Sequence, residues 1–225
     1  MSGHDPLTIN IVTIFPGFFE TPLATSIPGR AAEAGLVRYR VVDLRSFTSD
    51  RHQTVDDTPY GGGAGMVLKP EPFFDAVDSL APQGPVVLLS ARGKTFSHDD
   101  AVRYAVQPDL TLLCGHYKDV DQRVADHVAT EEISLGRFVL SGGEIGALAV
   151  ADSVVRLLPG ALGDHDSAAT DSFYAGASLS APSYTRPADY RGYAVPEVLR
   201  GGDHRQIEEW REAEAIRRTA EQEGE

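Results

Sequence analysis

The chain has little cysteine and no long apolar runs. Its single cysteine, Cys114, cannot form an intramolecular disulfide, and one thiol is too few for a cysteine-based zinc finger. No apolar run is long enough to span a membrane, and residues 1–6 lack the basic and then apolar order of a signal peptide. We therefore expect a cytoplasmic protein that does not associate with membranes.

The signatures of several large enzyme classes are also missing. Residues 61–66 read GGGAGM, which breaks the dinucleotide pattern G-x-G-x-x-G at its last position. The phosphate loop G-x-x-x-x-G-K-[ST] and the hydrolase motif G-x-S-x-G do not occur. A nicotinamide enzyme, a nucleoside-triphosphate enzyme and a serine hydrolase are thus poorly supported.

Positive charge is scarce. Lys and Arg number 20 against 33 Asp and Glu, which gives a formal net charge of -13. This balance opposes phosphate binding through bulk positive charge. A nucleic-acid partner would have to be held by few, well-placed cations.

The apolar pattern indicates an α/β fold with a mainly parallel sheet. The 225 residues, 42% of them hydrophobic, suffice for one sizeable core or for one domain with a small appendage. Short apolar runs alternate with helical spacing, and runs of this kind suit parallel strands covered on both faces. The sequence predicts strands at 8–15, 37–44, 85–90 and 110–115, and helices at 70–80, 97–106 (with Ser97 as N-cap), 144–158 and 203–220. Residues 18–35 are predicted to be helical in parts, with an interruption at Pro28-Gly29.

Two polar, glycine-rich loops are the candidate ligand-binding segments. Residues 49–66 place three carboxylates, an Arg and a His before a glycine cluster, and residues 135–144 form a second loop of the same kind. Glycine has no Cβ and lets the backbone approach a ligand closely. The alternative is a pair of solvated turns. Because ligands of parallel sheets bind beyond the carboxyl ends of the strands, residues 88–90, 113–117 and 135–143 could line one site, or could be ordinary turns.

Single polar residues leave alternatives open. Arg156 interrupts an apolar helix end, where it either serves a site or extends to solvent. Asp171 could cap a helix or act as a base on a mobile loop. His116, His165 and His204 lack metal-ligand spacing, and we interpret them as solvated loop histidines. Trp210 is interpreted as a packing anchor.

Taken together, the motifs resemble the TrmD family, the bacterial tRNA (guanine-N1)-methyltransferases of the SPOUT class. They follow the family's order from residue 8 to about residue 211. The matching motifs are Ile14-Phe15-Pro16, Asp50-Arg51-His52, Val55-Asp56-Asp57, Pro59-Tyr60-Gly61-Gly62-Gly63, Cys114-Gly115-x-Tyr117, Val139-Leu140-Ser141-Gly142-Gly143-Glu144, Asp152-Ser153-x-x-Arg156, Asp171-Ser172-Phe173 and Tyr184-Thr185-Arg186-Pro187.

The resemblance implies a fold and an assembly. The fold is of the SPOUT type: a mainly parallel sheet with a deep trefoil knot, followed by a small helical C-terminal domain that helps to hold RNA. On this chain the cofactor-binding and catalytic domain would span residues 1–162, a flexible linker 163–177, and a shortened C-terminal domain 178–225. The resemblance also implies a homodimer with its active site at the subunit interface.

The same resemblance implies a reaction. S-adenosyl-L-methionine would donate a methyl group to N1 of the guanine immediately 3′ of the anticodon in tRNA. Asp171 would be the general base and Arg156 would stabilise charge on O6. Asp50 would hold the guanine edge, with Arg51 and His52 near the RNA. The implied cofactor-binding residues are Leu88, Leu89, Ser90, Gly115, Tyr117, Leu135, Gly136, Arg137, Phe138, Val139, Leu140, Ser141, Gly142 and Gly143.

The chain departs from the family pattern near the cofactor. The family reads Tyr-Glu-Gly-Ile-Asp where this chain reads Tyr117-Lys118-Asp119-Val120-Asp121, and Gly-Asp-Tyr where it reads Gly136-Arg137-Phe138. Lys118 replaces a carboxylate linked to the family's use of magnesium, and an ammonium group cannot ligate Mg²⁺. We therefore assign no metal ligand and expect weak or absent magnesium dependence. Lys118 and Arg137 could instead contact a phosphate or a carboxylate, or form a new local ion pair.

Two further hypotheses stay open at this stage. The end of the chain, residues 217–225, is acidic where the family is basic, which weakens the expected grip on tRNA. A diverged paralogue could use the same cofactor to methylate a ring nitrogen of another RNA, a nucleoside or a small heteroaromatic metabolite. A non-catalytic RNA-binding or regulatory dimer is the third possibility.

Overall fold

The central feature of the fold is a five-stranded parallel sheet. The computed structural model describes residues 5–162, 171–174, 176 and 178–223, and the chain divides into two units, Met1–Gly163 and Asp164–Glu225. Within the described residues the strands are β1 (Leu7–Thr13), β2 (Val37–Asp43), β3 (Asp56–Asp57), β4 (Val67–Leu68), β5 (Val86–Thr95), β6 (Asp109–Cys114), β7 (Asp119–Val120), β8 (Glu131–Ser134), β9 (Asp189–Tyr190) and β10 (Tyr193–Ala194). The sheet has the order β2-β1-β6-β5-β8, and every pairing in it is parallel.

Helices cover both faces of this sheet. Within the described residues they are α1 (Glu20–Leu23), α2 (Ser26–Glu33), α3 (Pro70–Leu80), α4 (His98–Ala105), α5 (Gln122–His127), α6 (Glu144–Val155), α7 (Glu197–Arg200) and α8 (His204–Glu223). Ile9 and Ile11 of β1 pack in one apolar cluster with side chains of α2, α4 and α6, whereas Val12 packs in a second cluster with α3 and α5. Strands buried on both faces read as continuous apolar runs. The predicted α/β fold with a mainly parallel sheet is confirmed.

The predicted helix break at Pro28-Gly29 is wrong. Helix α2 runs through both residues, and the interruption lies earlier, between α1 and α2. Pro28 is the third residue of the helix, where a backbone N–H has no partner within the helix, so its absence is tolerated. Gly29 is required there because a Cβ would stand 2.5 Å from the carbonyl carbon of Ala24.

Strand β5 is longer than predicted and carries a bulge. Leu89 and Lys94 both pair with Ile133 of β8, so residues 90–93 bulge out of the ladder. A Cβ on Gly93 would collide with the backbone of Glu132 and Ile133, which explains the glycine. The strand therefore continues to Thr95 instead of ending near Ser90.

The start of α4 is tied to the sheet by a buried carboxylate. Ser97 is the N-cap of α4, as the sequence predicted, and it forms a capping box with Asp100. Asp100 also accepts hydrogen bonds from Lys94 (2.6 Å) and Arg103 (2.9 Å). Burial alone would raise the pKa of Asp100, but the hydrogen bonds from Lys94, Arg103 and Ser97 outweigh it and lower the pKa to about 2.

The second unit contains a hairpin and helices. Strands β9 and β10 pair antiparallel, and neither was predicted. Helix α8 covers the predicted helix 203–220. Trp210 is half-buried there with its ring 6.3 Å from that of Tyr184, which supports its interpretation as a packing anchor. The domain boundaries and the flexible linker stay predictions, and residues 163–170, 175 and 177 of that linker lie outside the described residues.

No helix among the described residues has both the length and the apolar character needed to cross a bilayer.

Candidate active site

A cavity of about 260 Å³ lies beyond the carboxyl ends of β5, β6 and β8. The strands are in register there, since Leu89 pairs with Cys114 on one side and with Ile133 on the other. We call this the strand-end cavity. It is lined by three segments, the β5 bulge, the turn after β6 and the loop after β8, with residues 88–92, 115–120, 133–135, 138–143 and 146. Its size approaches the ~300 to 1,000 Å³ of small-molecule sites.

Close packing holds the loop after β8 against the turn after β6. The Gly143 N–H donates a hydrogen bond of 2.8 Å to the Gly115 carbonyl, and Gly142 forms a bridge with His116. A Cβ on Gly142 would collide with Glu144 and His116, and one on Gly143 would stand 2.8 Å from Cα of Cys114. Only glycines allow this approach of two backbones, so the cavity wall is set by the sequence Gly142-Gly143.

A buried carboxylate lies behind that wall. Glu144, 5% exposed, begins α6 and accepts a hydrogen bond of 2.8 Å from the Thr13 hydroxyl at the end of β1. The positive end of the helix dipole favours an acidic residue at this position. Burial and the nearby charge of Glu144 raise the pKa of the Cys114 thiol well above its usual value.

His116 packs against Phe15, Tyr117 and Glu144, so its interpretation as a solvated loop histidine is wrong. Its ring lies edge-on to Phe15 (4.9 Å between centroids) and to Tyr117 (5.2 Å). Its buried Nδ1 makes no hydrogen bond within the described structure and is 3.8 Å from a Glu144 oxygen. The packing arises because Gly142 leaves room for the imidazole. His204 is an exposed residue at the start of α8, and His165 lies outside the described residues.

Charged residues of opposite sign line the cavity on the side of β7. Arg92 forms an ion pair with Asp119 (2.9 Å) and lies 3.6 Å from a Glu132 oxygen. Lys118 lines the cavity beside them, and its backbone N–H donates to the Met66 carbonyl at 3.0 Å.

These residues do not fit a magnesium ion. Asp119 is already engaged by a guanidinium, and the neighbouring Lys118 offers an ammonium group where an oxygen ligand would be needed. In the part of the chain that the structure describes, no three His, Cys, Asp or Glu residues are placed to hold a metal ion together.

Most of the predicted cofactor-binding residues meet in the strand-end cavity. Gly136 and Arg137 do not line it. Gly136 has a φ of +153° and its carbonyl accepts a hydrogen bond from Ser134, while Arg137 is exposed. The predicted residues that line it are Leu88, Leu89, Ser90, Gly115, Tyr117, Leu135, Phe138, Val139, Leu140, Ser141, Gly142 and Gly143.

The predicted segments missed Ala91, Arg92 and Ile133, among others. Arg92 was missed because the strand was expected to end at Ser90. Gly93 was the available signal, because an isolated glycine within a strand pattern suggests a bulge.

The predicted substrate residues of the 50–52 loop lie apart from this cavity. Asp50, Arg51 and His52 are exposed, and none of them lines it. The Asp50 carboxylate accepts hydrogen bonds from the Thr54 hydroxyl (2.8 Å), the Thr54 N–H (2.9 Å) and the His52 N–H (3.1 Å). These bonds, those of Thr54 first, lower the pKa of Asp50.

The two predicted catalytic residues belong to different units. Arg156 is the half-buried residue that ends α6 in the first unit. Asp171 is exposed in the second unit, where it lines a cavity of about 1400 Å³ together with Tyr184, Arg186, Arg200 and Arg211. Its carbonyl accepts a hydrogen bond of 3.3 Å from the Tyr174 N–H in a turn.

The fold and the site place the protein in the α/β class, with a glycine-walled cavity beyond the strand ends, which is where α/β proteins with parallel sheets commonly bind small ligands. The sequence model of the family described as tRNA (Guanine-1)-methyltransferase TrmD matches residues 7–225. The chain belongs to this family, and the predicted membership is confirmed.

Curated relatives named tRNA (guanine-N(1)-)-methyltransferase agree with this assignment. The protein of Geobacillus kaustophilus (strain HTA426) is 49% identical over 216 residues, which cover 95% of this chain and 88% of the relative. That of Bacillus subtilis (strain 168) is 49% identical over 217 residues, covering 95% and 89%. That of Dehalococcoides mccartyi is 48% identical over 217 residues, covering 95% and 87%.

The family implies the use of S-adenosylmethionine, and the strand-end cavity suits such a molecule. A flat purine ring needs apolar walls and close backbone, which Leu89, Leu140 and Gly143 offer. The hydroxyls of Ser90 and Ser141 add polar groups at the same site. The residues present therefore fit the cofactor.

Proposed function

We propose that this protein is a methyltransferase that modifies N1 of the guanine immediately 3′ of the anticodon in tRNA, using S-adenosyl-L-methionine. The family match over residues 7–225 carries the proposal. Relatives at 48% to 49% identity carry the name of this activity, and they cover the length of the chain that holds Arg156 and Asp171. Such a reaction belongs in the cytoplasm, where tRNA and the cofactor meet.

The strand-end cavity is our proposed cofactor site. Its walls come from residues 88–90, 115–117 and 138–143, with Leu135 beside them. S-adenosylmethionine, when bound, supplies a methyl group on a positively charged sulfur. The protein's part is to hold this molecule still and to keep water away, since positioning lowers the barrier of a two-reactant step.

Asp171 and Arg156 are our proposed catalytic pair. Guanine N1 carries a proton and is a poor nucleophile until that proton leaves. The Asp171 carboxylate takes the proton from N1, which frees the ring nitrogen's electron pair. Negative charge then spreads from N1 to O6, where the Arg156 guanidinium stabilises it. In the transfer, the N1–carbon bond would form as the donor's carbon–sulfur bond breaks, and the electron pair of that bond would stay on the sulfur and neutralise its positive charge.

The 50–52 loop is our proposed guanine-binding element. An ionised carboxylate has about four acceptor positions, and three of those on Asp50 are used by Thr54 and His52. One acceptor position is left for an N–H of the guanine edge. The internal bonds hold the Asp50 carboxylate in place before substrate arrives, which reduces the entropic cost of binding.

A homodimer with an interface active site is part of the proposal. Large apolar side chains near the strand-end cavity and the start of α6 are exposed in the single chain: Val139 is 86%, Ile145 is 52% and Phe15 is 44% exposed. Exposed apolar surface of this extent marks interaction sites. We expect a particle of two chains in sedimentation analysis, and we expect Ile145→Lys to shift it toward single chains.

The knot and the C-terminal domain complete the proposal. The loop of residues 135–143 packs on the turn after β6 before α6 returns to the sheet, and this crossing supports a trefoil knot. The second unit would act as a small C-terminal domain that holds RNA. Arg186, Arg200 and Arg211 line one cavity there with Asp171, Glu208 and Glu212, and Arg211 is paired with Glu208 at 2.7 Å. We therefore take Arg186 and Arg200 as the cations that this unit would offer to RNA.

A methyl-transfer assay tests the function. Unmodified tRNA with guanine 3′ of the anticodon is incubated with labelled cofactor, and mass spectrometry of the digested RNA locates the modified base. The matched control is the same tRNA with adenine at that position. We expect 1-methylguanine in the first RNA and no label in the second. Cofactor binding without transfer to the first tRNA would refute the proposed acceptor.

A further inference from the structure

Lys118 is a cation without a matching anion in the strand-end cavity. Arg92, which lines the same cavity, has its charge matched by Asp119 at 2.9 Å and by Glu132 at 3.6 Å. Among the described residues, no carboxylate lies within ion-pair distance of Lys118. A charged group at the wall of a cavity forms its strongest contacts with a ligand group of opposite charge.

The Lys118 side chain is also held in one direction. A Cβ on Gly65 would stand 3.4 Å from Cβ and 3.7 Å from Cδ of Lys118, and a Cβ on Gly63 would stand 3.4 Å from Nζ. The aliphatic part of the side chain therefore runs along the glycine-rich loop, from Gly65 toward Gly63. These glycines have φ values of +90° and +114°, which other residues rarely adopt, so the surface that supports Lys118 depends on glycine.

The backbone fixes the same residue. The Lys118 N–H donates to the Met66 carbonyl at 3.0 Å, and β7 begins at the next residue and pairs with β4. A lysine whose stem and backbone are both supported loses less conformational freedom on binding a ligand than a free surface lysine does.

We propose that Lys118 binds an anionic oxygen of the ligand, and that the carboxylate of the methyl donor's amino-acid tail supplies it. The inference rests on the proposed function. An ammonium group would serve equally well for an RNA phosphate, since both are oxyanions. The carboxylate is favoured because Lys118 lines the same cavity as Gly115 and Tyr117, within a single chain.

Binding measurements on the full chain test this assignment. Isothermal titration calorimetry with S-adenosylmethionine and with its decarboxylated analogue compares wild type, Lys118→Met and Lys118→Arg. We expect Lys118→Met to weaken binding of S-adenosylmethionine about tenfold, the effect of losing one charge-assisted contact at a partly exposed site. Binding of the decarboxylated analogue should be the same in Lys118→Met and wild type, and Lys118→Arg should restore most of the loss.

Lys69→Met is the matched control. Lys69 does not line the cavity, and its backbone N–H donates a hydrogen bond of 2.8 Å to the Val55 carbonyl, which the substitution keeps. It should bind both compounds as wild type does. Equal losses for both compounds in Lys118→Met, or no loss for either, would overturn the carboxylate contact.

Measurements of tRNA binding show whether the anion that Lys118 contacts is an RNA phosphate instead of the cofactor's carboxylate. If Lys118 contacts a phosphate, Lys118→Met leaves cofactor binding unchanged, weakens tRNA binding and reduces the salt slope by about one. That result would keep the oxyanion site and reject the carboxylate. A chain that binds no S-adenosylmethionine even as wild type would instead refute the proposed function, so the two failures are distinguishable.

Discussion

The Thr13 hydroxyl donates a hydrogen bond of 2.8 Å to the carboxylate of Glu144, a residue 131 positions further along the chain. The bond joins the end of the first strand to the start of α6, behind the wall of the strand-end cavity. The same hydroxyl accepts a bond of 3.0 Å from the Phe15 N–H. Thr13 and Glu144 are both buried, so water cannot replace the bond between them if it is lost.

Replacing Thr13 with Val should therefore lower stability. The substitution keeps the shape of the side chain and removes both bonds, and we expect the free energy of unfolding to fall by about 1 to 3 kcal/mol. Urea unfolding followed by circular dichroism measures the change. Thr8→Val is the control, because Thr8 lies in the same strand. Equal unfolding free energies of Thr13→Val and wild type would show that the two hydrogen bonds make no net contribution to stability.

Stability in acid should depend on Asp100. Its pKa is about 2 in the folded protein against an ordinary value of 3.8, so the ionised carboxylate stabilises the fold above about pH 4. This contribution, about 2 kcal/mol, is lost as the pH falls from 4 toward 2. Asp100→Asn should be less stable than wild type at neutral pH, and the gap should narrow over that interval.

The control for that experiment is Asp99→Asn, one position earlier in the same helix and exposed. Its unfolding free energy should follow that of wild type across the same pH range. A gap for Asp100→Asn that stays constant from pH 4 to pH 2 would contradict the role of the ionised carboxylate.

Substitution of Asp171 should separate chemistry from cofactor binding. If this carboxylate takes the N1 proton, Asp171→Ala should reduce single-turnover transfer by about 10² to 10⁴-fold, and calorimetry should show unchanged affinity for S-adenosylmethionine. Glu209→Ala, an exposed acidic position in the same unit, serves as the control. Near-normal transfer by Asp171→Ala would remove this residue from its role as base.

Transfer should not require magnesium. Asp119 is paired with Arg92, and Lys118 contributes a positive charge to the same wall, so an added cation would meet repulsion. The tRNA is folded beforehand in spermidine, because RNA itself needs counterions. We expect the same rate with a chelator as without it. A rate that falls with the chelator and returns on adding magnesium chloride would contradict this prediction.

The sequence predicted the fold where apolar pattern and local chemistry agreed. The helix Pro70–Leu80 and the N-cap Ser97 match their predictions, because proline, caps and spacing act locally. Prediction failed at Pro28, whose effect depends on its place within the helix. The two-residue strands and the six-residue helix α5 were missed because such short elements leave little periodicity to detect.

The sequence predicted which segments form the candidate site, but it did not predict the contacts between their side chains. Glycine-bearing strand ends indicated which segments meet, and most of the named residues line one cavity. The pairing of Arg92 with Asp119, 27 positions apart, could not be foreseen, because it depends on a bulge that only the register with β8 creates. The packing of His116 against Phe15 is likewise a consequence of tertiary structure.

The bulge in β5 lets one strand both pair with β8 and line the strand-end cavity. Leu89 and Lys94, on either side of the bulge, both pair with Ile133, while Ser90, Ala91 and Arg92 line the strand-end cavity. Substitutions at these three positions can thus alter what the cavity recognises without disturbing the sheet beneath. Selectivity for a new methyl donor could evolve, or be engineered, through these three side chains at little risk to the scaffold.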